Sequence, residues 1–412
     1  MNHSNIVILG GGMVAGYAAK QLVELGLPKG DLAILSADNF VPYERPPLSK
    51  GFLAGKDSED AIRINPDDFY KEQRIELRLA CEIATVDVKK KRLILKGGDE
   101  FEFQKLVIAT GARPRILNIP GSRLQNLFYL RTLSDSKTIR SAAEKTNHAL
   151  VIGGGFIGME VAAVLAQKGI EVTMVLNDDR VFKRLFSPEM SDFFESYYAA
   201  KRVRLIKSMS VTELRGDRVV KSAVLKNEQT IPCDLVVAGI GVQPSIEVVA
   251  NSGLDVGDGI LVNEYLQTSH PDILAAGDVA NYQDVLFGKR RRVEHWDNAV
   301  SQGQYCARSL RGDKTPFRHV PYFFSDVFDL SYEYWGDSSG ADQVVHRGDL
   351  SSKSFSVWWV RQQRLVAAFT MNRPDEERNL APQWIESKQT VSPVKLGDAS
   401  QPIVAAAAEA AA

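Results

Sequence analysis

The chain has 412 residues, 44% hydrophobic and 25% charged, which is ordinary for a globular protein and long enough for two or three domains. With 50 basic and 51 acidic residues the formal net charge is −1, so no field gathers nucleic acid or anionic lipid, and the expected partner is small or modestly charged. Three cysteines, Cys81, Cys233 and Cys306, are too few and too scattered for a disulfide framework or a metal site. No run is long enough to span a membrane, and the N-terminus enters a strand without a basic region or cleavage site, so the expectation is a cytoplasmic protein with no nucleic-acid or membrane partner.

Residues 5–9 (NIVIL) predict a buried parallel strand running straight into Gly10, Gly11 and Gly12, with Val14, Ala18, Leu22 and Leu25 at helical spacing behind them. Gly10 and Gly12 let the backbone turn and approach a pyrophosphate, whose charge meets unpaired N–H groups and the positive end of the helix dipole. Ala15 fills the third fingerprint position. The next strand, 31–36 (DLAILS), ends near Asp38, which is placed either to accept from adenosine ribose hydroxyls or to turn the chain before Asn39. In 41–53 (VPYERPPLSKGFL), Pro46 and Pro47 stiffen a loop carrying Arg45 and Lys50, cations suited to a phosphate or an ion pair. Short alternating runs over 75–103 predict an antiparallel layer beside the main sheet. The basic runs 89–92 and 289–292 read as solvated hairpin ends.

The stretch 147–160 (NHALVIGGGFIGME) repeats the design, with Gly153, Gly155 and Gly158 between a strand and a helix that carries Ile157, Val161, Val164 and Leu165 on one face. Two such units in one chain predict two dinucleotides. Its second strand, 171–175, ends near Asn177, Asp178 and Asp179. An acid there accepts from a 2′-hydroxyl and repels a 2′-phosphate, which favours NADH, while Arg180 and Arg184 keep NADPH possible. The run 235–244 (LVVAGIGVQP), with Gly241, echoes 106–114 (LVIATGARP) and closes the second unit. In 273–279 (ILAAGDV), Asp278 can bring a carboxylate to a polyol chain. A helix starts within 293–301 and continues to about 310. From 322 to 369 the pattern is β-rich and aromatic, predicting a third, antiparallel domain, and after about 393 the sequence fades into a low-complexity tail.

In this order, GGGMVAGYAA, PYERPPLSK, ATGARP, GGGFIGMEVA, AAGDVA, RVEHWDNA and PYFFSDVFDLSYEYWGD resemble flavoprotein NAD(P)H oxidoreductases of the glutathione-reductase structural class. The resemblance is nearest to monodehydroascorbate reductases, with bacterial ferredoxin reductases and apoptosis-inducing-factor-like proteins close by. It implies an α/β fold with two Rossmann-like domains and a C-terminal α+β domain: FAD-binding 1–112 and 247–318, NAD(P)H-binding 113–246, an interface domain 319–393, and a tail 394–412. It also implies FAD contacts from Gly10, Gly12, Ala15, Asp38, Arg45, Lys50, Arg131, Asp278, Glu294, His295 and Trp296. Gly153, Gly155, Gly158, Asp178 and Gly241 fall to the nicotinamide cofactor, and Lys50 and Glu160 form an ion pair near the flavin ring. His295 either joins the chemistry or only enters its helix.

The expected reaction is hydride transfer from NADH to FAD, followed by direct delivery of electrons to an acceptor, because no close cysteine pair follows the first glycine turn to act as a disulfide relay. A flavin that splits an electron pair suits an organic radical, a quinone or a small redox protein. Trp296, Phe323, Phe324 and Trp335 either line the exit or belong to the core. In plant monodehydroascorbate reductases an Arg and a Tyr line the organic-radical site, and this chain has Val300 and Phe324 there. The leading expectation is a monodehydroascorbate-reductase-like enzyme. The competing ones are an NADH-dependent ferredoxin or rubredoxin reductase and an NADH-responsive flavin-binding regulatory protein.

Overall fold

In the computed structural model, which describes residues 2–408, strand Asn2–Leu9 lies inside a seven-stranded sheet, and its apolar residues Ile6, Val7, Ile8 and Leu9 are buried. Its parallel part runs Glu76–Arg78, Leu32–Leu35, Asn2–Leu9, Glu100–Ile108, Ile273–Ala275, with Val7 opposite Ala33 on one side and Leu106 on the other. Buried on both faces, these strands read as continuous apolar runs rather than alternating ones. Arg92–Leu95 and Ile83–Asp87 extend the sheet antiparallel, as expected. Glu76–Arg78 departs from the expected antiparallel layer. It follows helix Asp67–Glu72, and such a crossover returns the chain parallel to Leu32–Leu35.

This sheet belongs to one of two units, made of residues up to Arg45, Ser58–Arg113 and Val242–Pro321. Within it, helix Met13–Glu24 packs on helix Trp296–Leu310. Gly303 makes the approach possible, because a methyl there would lie 2.8 Å from the Val14 carbonyl oxygen. A glycine inside a helix costs about 1 kcal/mol, which close helix packing offsets. The basic run 289–292 lies on a hairpin, as expected, but only Arg290 of it is exposed. Lys289–Arg291 is a strand paired with Ala280–Asp284; Arg291 lies 3.4 Å from Asp284, and Arg292 lies 3.1 Å from Asp258.

The other unit comprises Pro46–Asp57, Pro114–Gly241 and the chain from Tyr322. Its parallel sheet has the order Val203–Ile206, Glu171–Val175, His148–Ile152, Leu235–Ala238, Leu127–Phe128. Pro46–Asp57, which carries Lys50, packs here through its short helix Gly51–Ala54 against helices Phe156–Gln167 and Leu133–Ala143. The C-terminal part is an antiparallel sheet in the order Tyr322–Val327, Leu330–Gly336, Arg364–Met371, Ser354–Arg361, Gln343–Asp349, followed by helix Asp375–Ser387.

Residues 394–408, within the stretch expected to be a low-complexity tail, are folded. Helix Pro393–Gly397 and the turn Ile403–Ala406 bury Leu396, Ile403 and Ala406. The buried Arg347 guanidinium donates to the carbonyls of Leu396 (3.4 Å), Asp398 and Gln401 (2.6 Å), and to Glu377 (2.9 Å). Residues 409–412 of the expected tail lie outside the described residues.

Candidate functional site

The first glycine turn is shaped by what its backbone must avoid. Gly10 sits at φ +120°, where a methyl would lie 2.2 Å from the Ala109 carbonyl oxygen, and a methyl on Gly11 would lie 2.2 Å from Ser36 Oγ. Gly12, the N-cap of helix Met13–Glu24, caps it with no side chain, and the nearest atom to a methyl there would be Arg45 Nη2 at 3.7 Å. The result is a shallow cradle over a helix N-terminus with a guanidinium at its rim. Ala15 is fully buried and serves packing. Asp38 Oδ2 accepts from Tyr43 Oη at 2.7 Å, and Arg45 lies over the same tyrosine ring at 5.7 Å.

Helix Trp296–Leu310 also starts without a side-chain cap, at His295. Burial pushes the His295 imidazole below its ordinary pKa, with the carboxylates of Asp278 and Asp297 pulling the other way. Trp296 Nε1 donates to Glu44 at 2.5 Å, and the other Glu44 oxygen accepts from Tyr17 at 2.6 Å, so Glu44 ties two helices to the loop that carries Arg45. Burial together with Glu44 pushes the Tyr17 phenol well up. Sequence reasoning missed Glu44, although it stands beside Arg45 in PYERPP. Glu294 is exposed and paired with Arg292. Asp278 sits in the tight turn Gly277–Val279, and Val300 is buried in the helix.

In the second unit Gly153 repeats Gly10. At φ +114°, a methyl would lie 2.2 Å from the Gly239 carbonyl oxygen. Gly155 has open space around it and caps helix Phe156–Gln167 with no side chain, while a methyl on Gly158 would lie 2.2 Å from the Gly153 carbonyl oxygen. Gly241, at φ +96°, accepts through its carbonyl from the Arg115 amide at 2.9 Å. Asp178 is exposed beyond strand Glu171–Val175. Its neighbour Asp179 is held by Lys183 at 3.0 Å and Arg180 at 3.7 Å, and the hydrogen bond from Lys183 keeps its carboxyl below the usual range. Arg184 is exposed, and the Arg131 amide donates to Asp135 Oδ2 at 3.1 Å, just ahead of a helix capped by Thr132.

Lys50 and Glu160 form an ion pair at 3.5 Å, and the Lys50 ammonium also lies 4.5 Å from the centre of the Phe324 ring. Glu160, only 6% exposed, accepts from Ser49 Oγ at 2.5 Å and Ser325 Oγ at 2.6 Å. Ser49 stands inside the LSK motif, whereas Ser325 carries no signal in the sequence beyond its strand. Phe323 and Trp335 are buried, stacked on Tyr334 at 5.0 Å and Tyr322 at 5.4 Å, so within this unit both are core residues. The three cysteines are free; burial pushes the Cys233 and Cys306 thiols up to about 12 and raises Cys81 as well, which leaves no reactive thiolate.

Residues 4–303 match the family model for pyridine nucleotide-disulphide oxidoreductases, and residues 322–407 match the reductase C-terminal family. The chain belongs to the pyridine nucleotide-disulphide oxidoreductase family. The reductase is 38% identical to peroxisomal monodehydroascorbate reductase 4 of Arabidopsis thaliana, over 90% of this chain and 80% of that protein. It is 35% identical to putidaredoxin reductase CamA of Pseudomonas putida, over 99% and 98%. The crystal structure of a ferredoxin reductase from Rhodopseudomonas palustris superposes with a TM-score of 0.94 at 35% identity, covering 98% of this chain and 100% of that one. The reductase is accordingly an enzyme, an FAD-dependent NAD(P)H oxidoreductase with a mixed α/β fold.

The residues present fit both cofactors. Each glycine turn of the reductase presses Gly10 or Gly153 against a carbonyl too closely to admit a side chain and leaves open space at the uncapped helix N-terminus, at Gly12 and at Gly155, and that is the shape a pyrophosphate needs. The C-terminal match extends across the folded segment 394–407. Among the described residues no helix is long and apolar enough to cross a membrane.

Proposed function

We propose that the reductase takes its electrons from NADH rather than NADPH and delivers them singly to a small iron–sulfur protein. Asp178 supports the choice of NADH. It is exposed beyond the second strand of its unit, while the adjacent cations Arg180 and Lys183 are turned onto Asp179. A 2′-hydroxyl finds an acceptor there, and a 2′-phosphate meets like charge.

Bound FAD would supply the conversion of a transferred electron pair into single-electron steps. The chain's own part is to bind and orient. The Gly10–Gly12 turn and Arg45 receive a pyrophosphate, and Asp278 accepts from hydroxyls of the sugar chain. The first-turn amides of helix Trp296–Leu310 offer partial positive charge to a ring edge that becomes more negative on reduction. Glu160 holds the Lys50 ammonium in one place. His295 enters this helix with its imidazole held toward the neutral form, consistent with a positioning part rather than proton delivery.

The choice of acceptor rests on one observation. At the positions where the resemblance to plant monodehydroascorbate reductases implies a cation and a phenol, this chain has the buried Val300 and the ring of Phe324. An anionic radical would lose both charge-assisted contacts. Steady-state NADH oxidation with ascorbyl radical, ferricyanide, a quinone and a putidaredoxin-type ferredoxin tests the proposal. The ferredoxin should give the highest kcat/KM, and a higher value with ascorbyl radical would overturn it. That outcome would establish the second reading, monodehydroascorbate reduction, which the 38% identity to the Arabidopsis enzyme favours.

A further inference from the structure

We infer that Gln302 is a positioning residue for FAD, fixing the Gly277–Val279 turn so that Asp278 presents its carboxylate correctly; this rests on the reading that Asp278 contacts FAD. Gln302 is fully buried on helix Trp296–Leu310, and its Oε1 accepts from the Gly277 amide at 2.7 Å. The preceding amide, Ala276 N, is spent on the Ile108 carbonyl at 3.0 Å and ends the sheet ladder. Gly277 N is therefore the first donor beyond the strand, and Gln302 is what satisfies it.

The turn has little freedom on its other sides. Gly277 has φ +78°, and a methyl there would lie 2.8 Å from Val14 Cγ2 and 3.9 Å from Ala299 Cβ, so the turn is wedged between the first turns of two helices. On its far end the Asp278 carbonyl accepts from Arg292 Nη1 at 3.1 Å. Gln302 thus holds the amide entering the turn, and Arg292 holds the carbonyl at Asp278.

Packing alone does not account for a glutamine at this place. Its Nε2 has no hydrogen-bond partner among the described residues, nor has Oδ1 of Asn298, one turn earlier and equally buried. A core position that leaves amide atoms unsatisfied is destabilising compared with an apolar residue of the same shape, so the carboxamide serves the one bond it makes well.

The test uses the full chain, with FAD removed and added back. Gln302→Met keeps the volume and removes the acceptor. The expected result is an FAD dissociation constant raised at least tenfold, with the melting temperature of the apoprotein close to that of the parent. Gln302→Glu, which restores an acceptor at the same reach, should recover most of the affinity. If Gln302→Met binds FAD as the parent does, or Gln302→Glu binds no better than Gln302→Met, the proposal falls. It falls equally if the apoprotein melts as much lower as the loss of FAD affinity would require, which is what a merely structural residue gives. Should Gln302→Met fail to fold, Gln302→Asn, one methylene short of Gly277, takes its place with the same readings, and failure of both to fold assigns Gln302 to the core. Asp278→Ala runs beside them: normal FAD affinity in that variant removes the underlying reading of Asp278, whatever Gln302 does.

Discussion

Glu160 holds Lys50 at 3.5 Å while both of its own carboxylate oxygens are taken by serine hydroxyls, Ser49 on one and Ser325 on the other. The carboxylate is almost fully buried on the helix that begins at the second glycine turn. Its charge is therefore stabilised by three donors from the Pro46–Ser49 turn, the residue after it and strand Tyr322–Val327.

Removing that carboxylate strands a cation and two hydroxyls in a dry place. Glu160→Ala should lose about 3 kcal/mol of stability, because breaking a buried pair from one side leaves the other charge uncompensated. Urea denaturation measures it. A loss below about 1 kcal/mol would mean that water reaches Lys50.

Asp178→Ala should raise the NADH KM about tenfold and leave the NADPH KM unchanged or lower, which is about 1.4 kcal/mol of discrimination. Initial rates with both coenzymes and ferricyanide as acceptor decide it. Unchanged selectivity would move the discrimination elsewhere in the loop.

Gly153→Ala places a methyl 2.2 Å from the Gly239 carbonyl oxygen at a φ that side chains avoid. The variant should keep its flavin absorbance and lose reduction by NADH, at least a hundredfold in rate, while dithionite still bleaches it. Loss of flavin together with NADH reduction would show that the damage is not confined to the second unit.

Glu377 provides a pH dependence. Burial opposes its charge, but hydrogen bonds from Arg373, Arg347 and Ser356 outweigh burial and hold the carboxyl below its ordinary value. The folded state then binds the proton less readily than the unfolded chain. Its contribution to stability is complete above the unfolded value of about 4.3 and is lost as pH falls through the lower folded value. Urea midpoints measured from pH 6 to pH 3 should fall more steeply for the parent than for Glu377→Gln, which is itself less stable at neutral pH by about 3 kcal/mol. Parallel profiles would count against the assignment.

The two glycine turns and the strands and helices around them were legible because each sequence element is dictated locally: a short apolar strand, a turn without side chains, an amphipathic helix. Glu44, Ser325 and Gln302 were not legible, since their partners lie far along the chain: Trp296 for Glu44, Glu160 for Ser325, Gly277 for Gln302. The strand Glu76–Arg78 was read with the wrong neighbours because three alternating residues do not encode direction; the preceding helix does. The run 289–292 was legible as a hairpin strand but not in its ion-pair partners. Its charges suggested solvent, and the acids that engage them, Asp284 and Asp258, belong to other segments.

Arg347 finds its carbonyl acceptors on Leu396, Asp398 and Gln401, about fifty residues further along the chain. Strand Gln343–Asp349 therefore emerges from a ribosome with a guanidinium whose carbonyl acceptors are missing until some fifty further residues have followed, on the order of seconds of synthesis. The C-terminal antiparallel sheet can complete these bonds only once that later stretch has been made, so a stop codon ahead of Leu396 would be a folding lesion and not a trimming.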